Sequence, residues 1–293
     1  MAYILSIIAN PADPAIDRAI LERLTGAVKV GPARELCMGA AYEMALHEPL
    51  APGAMARVRD IARDANIDIN ILPAANRRKK LLIADMDSTI IEQECIDELA
   101  DFAGKRAEIS TITERAMHGE LDFETALKER VAMLTGLPAQ TLLETFKKRI
   151  SLTPGAKTLV QTMNEMGAVT ALVSGGFTFF TERVAKAAGF AHTQANELFI
   201  ENGALTGEVG EPILGREAKQ EALQRLASEN NIALEETLGV GDGANDLAML
   251  ERAGLGVAFR AKPAVARAAH TRIDHGDLTA LLYLQGIPQS EFV

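Results

Sequence analysis

Apolar positions in residues 1–76 follow two spacings. Runs rich in β-formers, "YILSIIAN" (3–10), "ELCMGAAYEMAL" (35–46) and "DINILP" (68–73), predict three strands. Between them, "PAIDRAILERLTGA" and "GAMARVRDIARDANI" place apolar residues at helical intervals. We therefore expect a small α/β unit over 1–76, followed by a linker in the basic, proline-containing stretch 73–80.

The pattern changes at residue 81, where continuous apolar runs replace alternation. "LLIAD" (81–85), "VTALVSGG" (169–176), "TLGVGDG" (237–243) and "LGVAF" (255–259) are typical of buried parallel strands, and helical patterns lie between them. This alternation predicts an α/β fold with a doubly wound parallel sheet in residues 77–293.

Two further segments do not fit a simple crossover between strands. Residues 92–150 have an almost wholly helical pattern, which predicts a helical cap inserted over one edge of the sheet. Residues 196–210 hold an Asn202-Gly203 pair between β-rich runs, which predicts a hairpin.

Composition narrows the possible partners and the cellular compartment. The net charge of −10 argues against nucleic acid and anionic membranes as partners, because an acidic surface repels them, and no apolar run is long enough for a membrane span. The N-terminus has the pattern of a strand rather than that of a signal peptide. The two cysteines, Cys37 and Cys95, have no metal-binding spacing, which favours a reducing, cytoplasmic setting.

Polar residues follow the predicted strands at their carboxyl ends, where open parallel sheets bind ligands. We expect Asp85, Asp87, Ser174, Gly175 and Asp242 to converge at that edge. Close carboxylates are tolerable beside a cation, and an all-oxygen set suits Mg²⁺. Together with the positive charge of a helical lysine, such a set suits phosphoryl transfer. That lysine is Lys219.

Four motifs carry a resemblance to a known family: "DMDST" (85–89), "SGG" (174–176), Lys219 and "GDGANDLAML" (241–250). In this order they resemble the haloacid dehalogenase-type phosphatases. Glu94 and "MHGELDFETALKERVAML" (117–134) make the chain similar to the phosphoserine phosphatase branch. The resemblance covers roughly residues 80–293 and implies a Rossmann-like core.

The resemblance implies a role for each matching residue. Asp85 is expected to be the nucleophile that forms an aspartyl-phosphate, and Asp87 the general acid–base. The Mg²⁺ ligands are expected to be Asp85, the backbone carbonyl of Asp87, and Asp242. The expected phosphate ligands are Ser174, Gly175 and Lys219. Asn245 and Asp246 are expected in the outer polar shell, with Asn245 near the substrate.

The resemblance also implies the substrate, O-phospho-L-serine, and the residues that would select it. Glu94 would face its ammonium group and Arg130 its carboxylate, which a guanidinium can bind in bidentate fashion. Met117 and Phe123 would close over it. Residues 1–76 would form an ACT-like domain with a regulatory or dimerisation role, although three predicted strands are one short of that fold.

Other interpretations remain open. Asp85 and Asp87 also suit a turn or a helix cap, and Glu94 and Arg130 also suit a solvated helix face. The same site could pass a phosphoryl group to another alcohol or act on another small phosphate ester. The chain could instead be an amino-acid-sensing protein with an inert core.

Overall fold

The computed structural model describes residues 2–48, 50–117 and 120–293, and side chains throughout these ranges except those of residues 116 and 117. The strands are β1 (Tyr3–Ile8), β2 (Arg34–Cys37), β3 (Ala41–Leu46), β4 (Asp68–Pro73), β5 (Leu81–Ala84), β6 (Val169–Phe177), β7 (His192–Asn196), β8 (Leu198–Glu201), β9 (Ala204–Val209), β10 (Thr237–Gly241), β11 (Leu255–Phe259) and β12 (Thr271–Ile273). The α-helices are α1 (Arg18–Ala27), α2 (Pro52–Ala65), α3 (Cys95–Ala103), α4 (Arg106–Met117), α5 (Phe123–Ala132), α6 (Gln140–Arg149), α7 (Ala156–Glu165), α8 (Thr178–Ala188), α9 (Arg216–Glu229), α10 (Leu247–Arg252), α11 (Pro263–Ala268) and α12 (Ala280–Leu284).

The first four strands form an antiparallel sheet in the order β2-β3-β1-β4, and with α1 and α2 they follow a βαββαβ sequence. The prediction of three strands was wrong, because the stretch taken as one strand is the hairpin β2–β3. Its turn contains Gly39 with a φ of +71°, a left-handed conformation that suits glycine. The order and directions are those of a ferredoxin-like unit.

Both faces of this small sheet are covered. Leu5 and Ile7 of β1 pack with Leu24 of α1 and Val58 of α2. On the other face, Ile8 belongs to the same apolar cluster as the residues of α12 near the C-terminus. Both faces of the four-stranded sheet therefore carry buried apolar residues, and the sheet shares a core with the rest of the chain.

The larger sheet has six parallel strands in the order β12-β11-β10-β5-β6-β7. This confirms the predicted parallel α/β sheet. Its two edge strands, β7 and β12, were missed because "HTQAN" and "TRI" are short and lack an apolar run. The strand order reverses between β5 and β10, which places a crevice beyond their carboxyl ends.

Helices α3–α6 lie between β5 and α7, and we call residues 92–150 the helical insertion. The predicted hairpin is present as β8–β9, with Asn202 and Gly203 both at positive φ. It is bonded to the helical insertion: the Gly136 amide donates to the Leu205 carbonyl at 2.8 Å, and the Ala139 amide donates to the Gly203 carbonyl at 2.9 Å.

Two buried polar contacts join the small sheet to the C-terminal segment. The Asp68 carboxylate of β4 accepts hydrogen bonds from the backbone amides of residues 274–276, the shortest at 2.8 Å. Arg77 pairs with Glu43 at 2.6 Å and donates to the carbonyls of residues 283 and 284 at the end of α12. The predicted linker is thus held against both units.

Among the residues that the structure describes, no helix combines the length and apolarity needed to cross a membrane.

Candidate active site

The reversal in strand order brings two acidic residues to one crevice. Asp85 follows β5 and Asp242 follows β10, and both side chains are buried. The Asp85 amide donates to the Val240 carbonyl at 3.0 Å, so the strand pairing continues up to the acid. The rigid sheet therefore fixes both carboxylates, as the sequence predicted for the ends of these strands.

The chain leaves β5 through a tight turn that orients Asp87. Ser88 in this turn has a φ of 54°, a left-handed conformation that a serine rarely adopts. The Asp87 carboxylate accepts a hydrogen bond from the Cys95 amide at 2.9 Å and one from the Ser174 hydroxyl at 3.4 Å. Asp85 and Asp87 therefore face different partners, although one residue separates them.

Lys219 of α9 lies between two buried carboxylates. Its ammonium is 2.6 Å from Asp85 Oδ1 and 2.5 Å from Asp246 Oδ1. Burial disfavours the charged lysine, but Asp246 and Asp85 together raise its pKa above the ordinary value. Burial, together with repulsion from Asp246, raises the pKa of Asp85 well above its ordinary range, and Lys219 opposes this rise. Lys219 thus favours the ionised form of Asp85.

Three carboxylates converge beside this lysine. Oxygens of Asp85, Asp242 and Asp246 all lie within 4.8 Å of one another, and all three residues are buried. One buried lysine cannot neutralise three buried acids, and a divalent cation with a preference for oxygen would do so. The residues present therefore fit a Mg²⁺ ion. The Asp87 carboxylate is outside this group, and the metal role predicted for Asp87 concerns its backbone carbonyl only.

The end of β6 approaches this acidic group closely. Ser174 is buried, and its hydroxyl accepts a hydrogen bond from the Gly176 amide at 2.8 Å. A Cβ at Gly176 would lie 2.8 Å from Asp87 Oδ2 and 3.0 Å from Ser174 Oγ, so a side chain at this position would displace one of them. The glycine is required by close packing against the acid rather than by its φ.

Glu94 lies at the start of the helical insertion, with its carboxylate 2.8 Å from the Ser88 hydroxyl, which donates to it. Arg130 of α5 is half-buried, and its Nε donates to the Ala126 carbonyl at 3.1 Å. Within the described part of the chain, Arg130 forms no ion pair with a carboxylate, while its neighbours Lys128 and Glu129 pair with other residues.

The ring of Phe123 lies over the end of β6, 3.0 Å from where a Cβ of Gly175 would be. Asn245 folds back over Gly243 in the loop after β10, with Oδ1 2.4 Å from where a Cβ of Gly243 would be. Phe123 of the helical insertion therefore packs against the end of β6, and Asn245 packs within the loop that follows β10. The side chain of Met117, which we expected to close over the substrate, lies outside the described residues.

Asp87 is the acid whose protonation is most useful near neutral pH. Burial is the main cause that raises the pKa of Asp87 to about 7, and the negative charge of Glu94 raises it further, while the Cys95 amide opposes the rise. A carboxyl group with this pKa can donate a proton and take one back at physiological pH.

Comparison with known proteins agrees with this geometry. The profile of haloacid dehalogenase-like hydrolases matches residues 82–251, more than half of the chain. The chain belongs to this family. It is similar to the phosphoserine phosphatase of Archaeoglobus fulgidus, with 44% identity over 79% of this chain and 68% of that protein. It is also similar to that of Streptomyces coelicolor, with 44% identity over 77% of this chain. The chain spans about half of the Streptomyces protein, 55% of its length.

Among solved structures, the chain resembles a hydrolase of the same family from Salmonella enterica serovar Typhi, with a TM-score of 0.86 and 32% identity. That likeness covers 97% of this chain and 98% of the Salmonella chain, so it includes the small N-terminal sheet as well as the hydrolase core.

Sequence reasoning missed Asn196 at this hydrolase site and did not identify Lys219 as the partner of Asp246. Asp246 was expected in an outer polar shell, but it pairs with Lys219 and faces Asp85 and Asp242. Asn196 holds the loop beside Ser174, since it donates to the Gly175 carbonyl at 2.9 Å and accepts from the Leu214 amide at 2.7 Å. Asn196 ends a polar edge strand, so no apolar run pointed to it.

Proposed function

We propose that this hydrolase converts O-phospho-L-serine to L-serine and phosphate through an aspartyl-phosphate intermediate, the last step of L-serine biosynthesis. The observation that carries the proposal is the buried set of Asp85, Asp242 and Asp246 around Lys219, with Asp87 beside it in a different environment. The similarity to phosphoserine phosphatases at 44% identity supports the choice of substrate.

In the first step, an oxygen of Asp85 attacks phosphorus and the bond from phosphorus to the serine oxygen breaks. Oδ1 of Asp85 is held by Lys219 and by the Met86 amide at 2.8 Å, and within the described residues no donor contacts Oδ2. We assign Oδ2 as the attacking atom. Protonated Asp87 gives its proton to the departing serine oxygen, so that a neutral alcohol leaves.

In the second step, Asp87 takes a proton from water, and the resulting hydroxide attacks the phosphorus of the aspartyl-phosphate. The bond between phosphorus and Asp85 breaks, which releases inorganic phosphate and restores both acids. A pKa of about 7 suits Asp87 for both transfers, since neither protonation state is strongly favoured.

Mg²⁺ is the proposed cofactor, held by Asp85, Asp242 and the backbone carbonyl of Asp87, with Asp246 close to the first two. When bound, it would neutralise negative charge on the phosphoryl group during transfer. The buried carboxylates need that positive charge in addition to Lys219, which supports the assignment.

The phosphate group is proposed to lie against Ser174, Gly175 and Lys219, with Asn245 near the substrate. Ser174 and Lys219 are buried at the carboxyl ends of β6 and in α9, so their polar atoms are fixed before a substrate arrives. Such preorganisation lowers the cost of positioning a phosphoryl group.

Selection of phosphoserine is assigned to the helical insertion, which we propose acts as a cap over the site. Glu94 would bind the ammonium group and Arg130 the carboxylate of the substrate, while Phe123 covers Gly175. The half-buried guanidinium of Arg130 has no carboxylate partner in the described residues, which suits it to bind one from the substrate.

We further propose that residues 1–76 form an ACT-like domain with a regulatory or dimerisation role and that 77–293 form the phosphatase domain, in a cytoplasmic enzyme. The βαββαβ order of the small sheet supports the first assignment.

The test is release of phosphate from O-phospho-L-serine in the presence of Mg²⁺, compared with phosphoglycolate. We expect hydrolysis of phosphoserine at a much higher kcat/KM. Asp85→Asn should abolish turnover while leaving the circular dichroism spectrum unchanged. Equal rates with both substrates would contradict the assigned specificity, and an active Asp85→Asn variant would contradict the nucleophile. With homoserine added, a homoserine phosphate product would indicate a phosphotransferase instead.

A further inference from the structure

Lys262 is a second lysine at the acidic end of the crevice, and neither the motifs nor the proposed mechanism gives it a role. It follows β11 and immediately precedes α11. Its ammonium is 3.5 Å from Asp242 Oδ2, and its amide donates to the Asp242 carbonyl at 3.0 Å. The side chain is half-exposed, so the charge faces both the buried acid and the open side of the crevice.

The backbone around Lys262 is fixed, unlike that of an ordinary surface lysine. Arg260 has a φ of +42°, and its amide donates to the Ile273 carbonyl of β12 at 2.7 Å. The Arg260 guanidinium donates to the Gly276 carbonyl at 3.0 Å. On the other side, Pro263 starts α11 and restricts the residue before it. These contacts hold the base of the lysine side chain in one place.

The two lysines serve different acids. Lys219 contacts Asp85 and Asp246, while Lys262 contacts Asp242. In the described part of the chain, Lys262 is the cation that forms an ion pair with Asp242. Asp242 is also one of the three carboxylates of the candidate metal group. A positive charge at Lys262 therefore acts directly on a proposed ligand.

We propose that Lys262 sets the balance between metal and phosphate at this site: it weakens Mg²⁺ binding through Asp242 and strengthens binding of the phosphate group. The proposal rests on the proposed function, and its reasoning is electrostatic. A cation beside a metal ligand repels Mg²⁺, and the same cation attracts a phosphate dianion that would otherwise meet several carboxylates. Removing the charge should thus change the two affinities in opposite directions.

The experiment uses the full chain and two binding measurements without turnover. Calorimetric titration with MgCl₂ gives the metal affinity, and titration with inorganic phosphate at saturating Mg²⁺ gives the anion affinity. For Lys262→Met we expect Mg²⁺ to bind about two- to fivefold more tightly and phosphate about two- to fivefold more weakly, the range for one partly exposed charge. Lys262→Arg should keep both affinities near those of the wild type.

Lys80→Met is the matched control. Lys80 is also partly exposed and also pairs with an acid, Glu236, but it precedes β5 at the opposite end of the sheet. The Lys80→Met variant should leave the affinities for Mg²⁺ and for phosphate unchanged. If Lys262→Met weakens the binding of both Mg²⁺ and phosphate, the lysine only supports the fold of the loop and the proposal is wrong. The proposal is also wrong if neither affinity changes. Because no substrate is used, these outcomes stand apart from any failure to hydrolyse phosphoserine.

Discussion

Lys219 is surrounded by buried acids, so its removal should have a large effect on stability. In Lys219→Met, Asp85 and Asp246 would keep their burial but lose their common partner. We expect the free energy of unfolding to fall by about 3–5 kcal/mol at pH 8 without divalent metal. Urea denaturation in EDTA measures this, with the exposed Lys186→Met as a control.

The fall in the free energy of unfolding caused by Lys219→Met should be smaller at pH 5 than at pH 8. The pKa of Asp85 is already raised in the folded protein by burial and by Asp246, and loss of Lys219 raises it further. An acid whose pKa is higher in the folded state than in the unfolded state stabilises the fold as it becomes protonated, and this contribution is lost as the pH rises. An equal loss at both pH values would mean that charge is not the cause.

The raised pKa of Asp87 predicts where kcat/KM falls on the alkaline side of its pH profile. In the proposed mechanism the first step needs the proton on Asp87, so kcat/KM should fall as the pH rises through about 7, where the raised pKa lies. Glu94→Gln removes a negative charge that raises this pKa, so the fall should move to lower pH. Steady-state rates measured between about pH 5.5 and about pH 9 would show the shift.

Glu92→Gln is a suitable control for that profile. Glu92 is exposed on the same segment, and its carboxylate accepts a hydrogen bond from the Ser151 hydroxyl rather than facing Asp87. The variant should keep the wild-type midpoint. If Glu94→Gln also keeps it, the alkaline limb belongs to a group other than Asp87.

At the level of elements, the end of β6 is packed too tightly for any side chain at Gly176. Gly176→Ala would push a methyl group against Asp87 Oδ2 and Ser174 Oγ. We expect kcat to fall at least about tenfold, since catalysis is sensitive to displacements of about 1 Å. Steady-state rates of phosphate release measure this fall.

Gly26→Ala should affect stability rather than catalysis, in contrast to Gly176→Ala. Gly26 is inside α1, and apart from the adjacent residues and the backbone of that helix, no heavy atom of the described residues lies within 4 Å of the added methyl group. The substitution should raise the free energy of unfolding by about 0.5–1 kcal/mol and leave kcat unchanged. A Gly176→Ala variant with wild-type kcat would show that the acid and the serine can move without cost.

The elements that the sequence predicted are those with a strong local signal. The apolar runs of β5 and β10 identified the central strands, and the Asn202-Gly203 pair identified the hairpin β8–β9. Since carboxyl ends of parallel strands meet at one edge, the sequence alone places Asp85 and Asp242 together.

The features that could not be predicted from the sequence are those that depend on contacts with residues distant along the chain. The edge strand β12 has three residues, and it forms by pairing with β11. Asp246 and Lys262 each lie in loops where an isolated charge is usually solvated, and the neighbours that give them a site come from β5, β10 and α9. Lys262 could have been suggested by its position just after a strand end, the rule that identified Asp85.

On the scale of the whole molecule, the small sheet and the hydrolase core meet around the C-terminal segment. Asp68 of β4 binds the amides of residues 274–276, and Asn70 exchanges two hydrogen bonds with the backbone of Arg272 at 2.9 and 3.0 Å. The same segment holds Arg260 by its backbone and side chain. A short series of direct contacts thus joins the N-terminal unit to the loop that carries Lys262.

This series predicts that Asp68→Asn changes Mg²⁺ binding at the candidate metal group of Asp85, Asp242 and Asp246 from a distance. An amide side chain has one acceptor oxygen instead of two, so part of the bonding to residues 274–276 is lost and the free energy of unfolding should fall by about 1–3 kcal/mol. If the loosened turn frees Lys262 from Asp242, Mg²⁺ should bind more tightly, by less than in Lys262→Met.

The decisive measurement is a double-mutant cycle, because spatial continuity alone does not establish coupling. In the Lys262→Met background, Asp68→Asn should have no further effect on Mg²⁺ affinity, since the charge through which it acts is already gone. Asp64→Asn on α2 removes the same charge from an exposed residue that pairs with Arg23, and it should leave Mg²⁺ affinity unchanged. An equal effect of Asp68→Asn in both backgrounds would mean that the N-terminal unit acts on the site by some route other than Lys262.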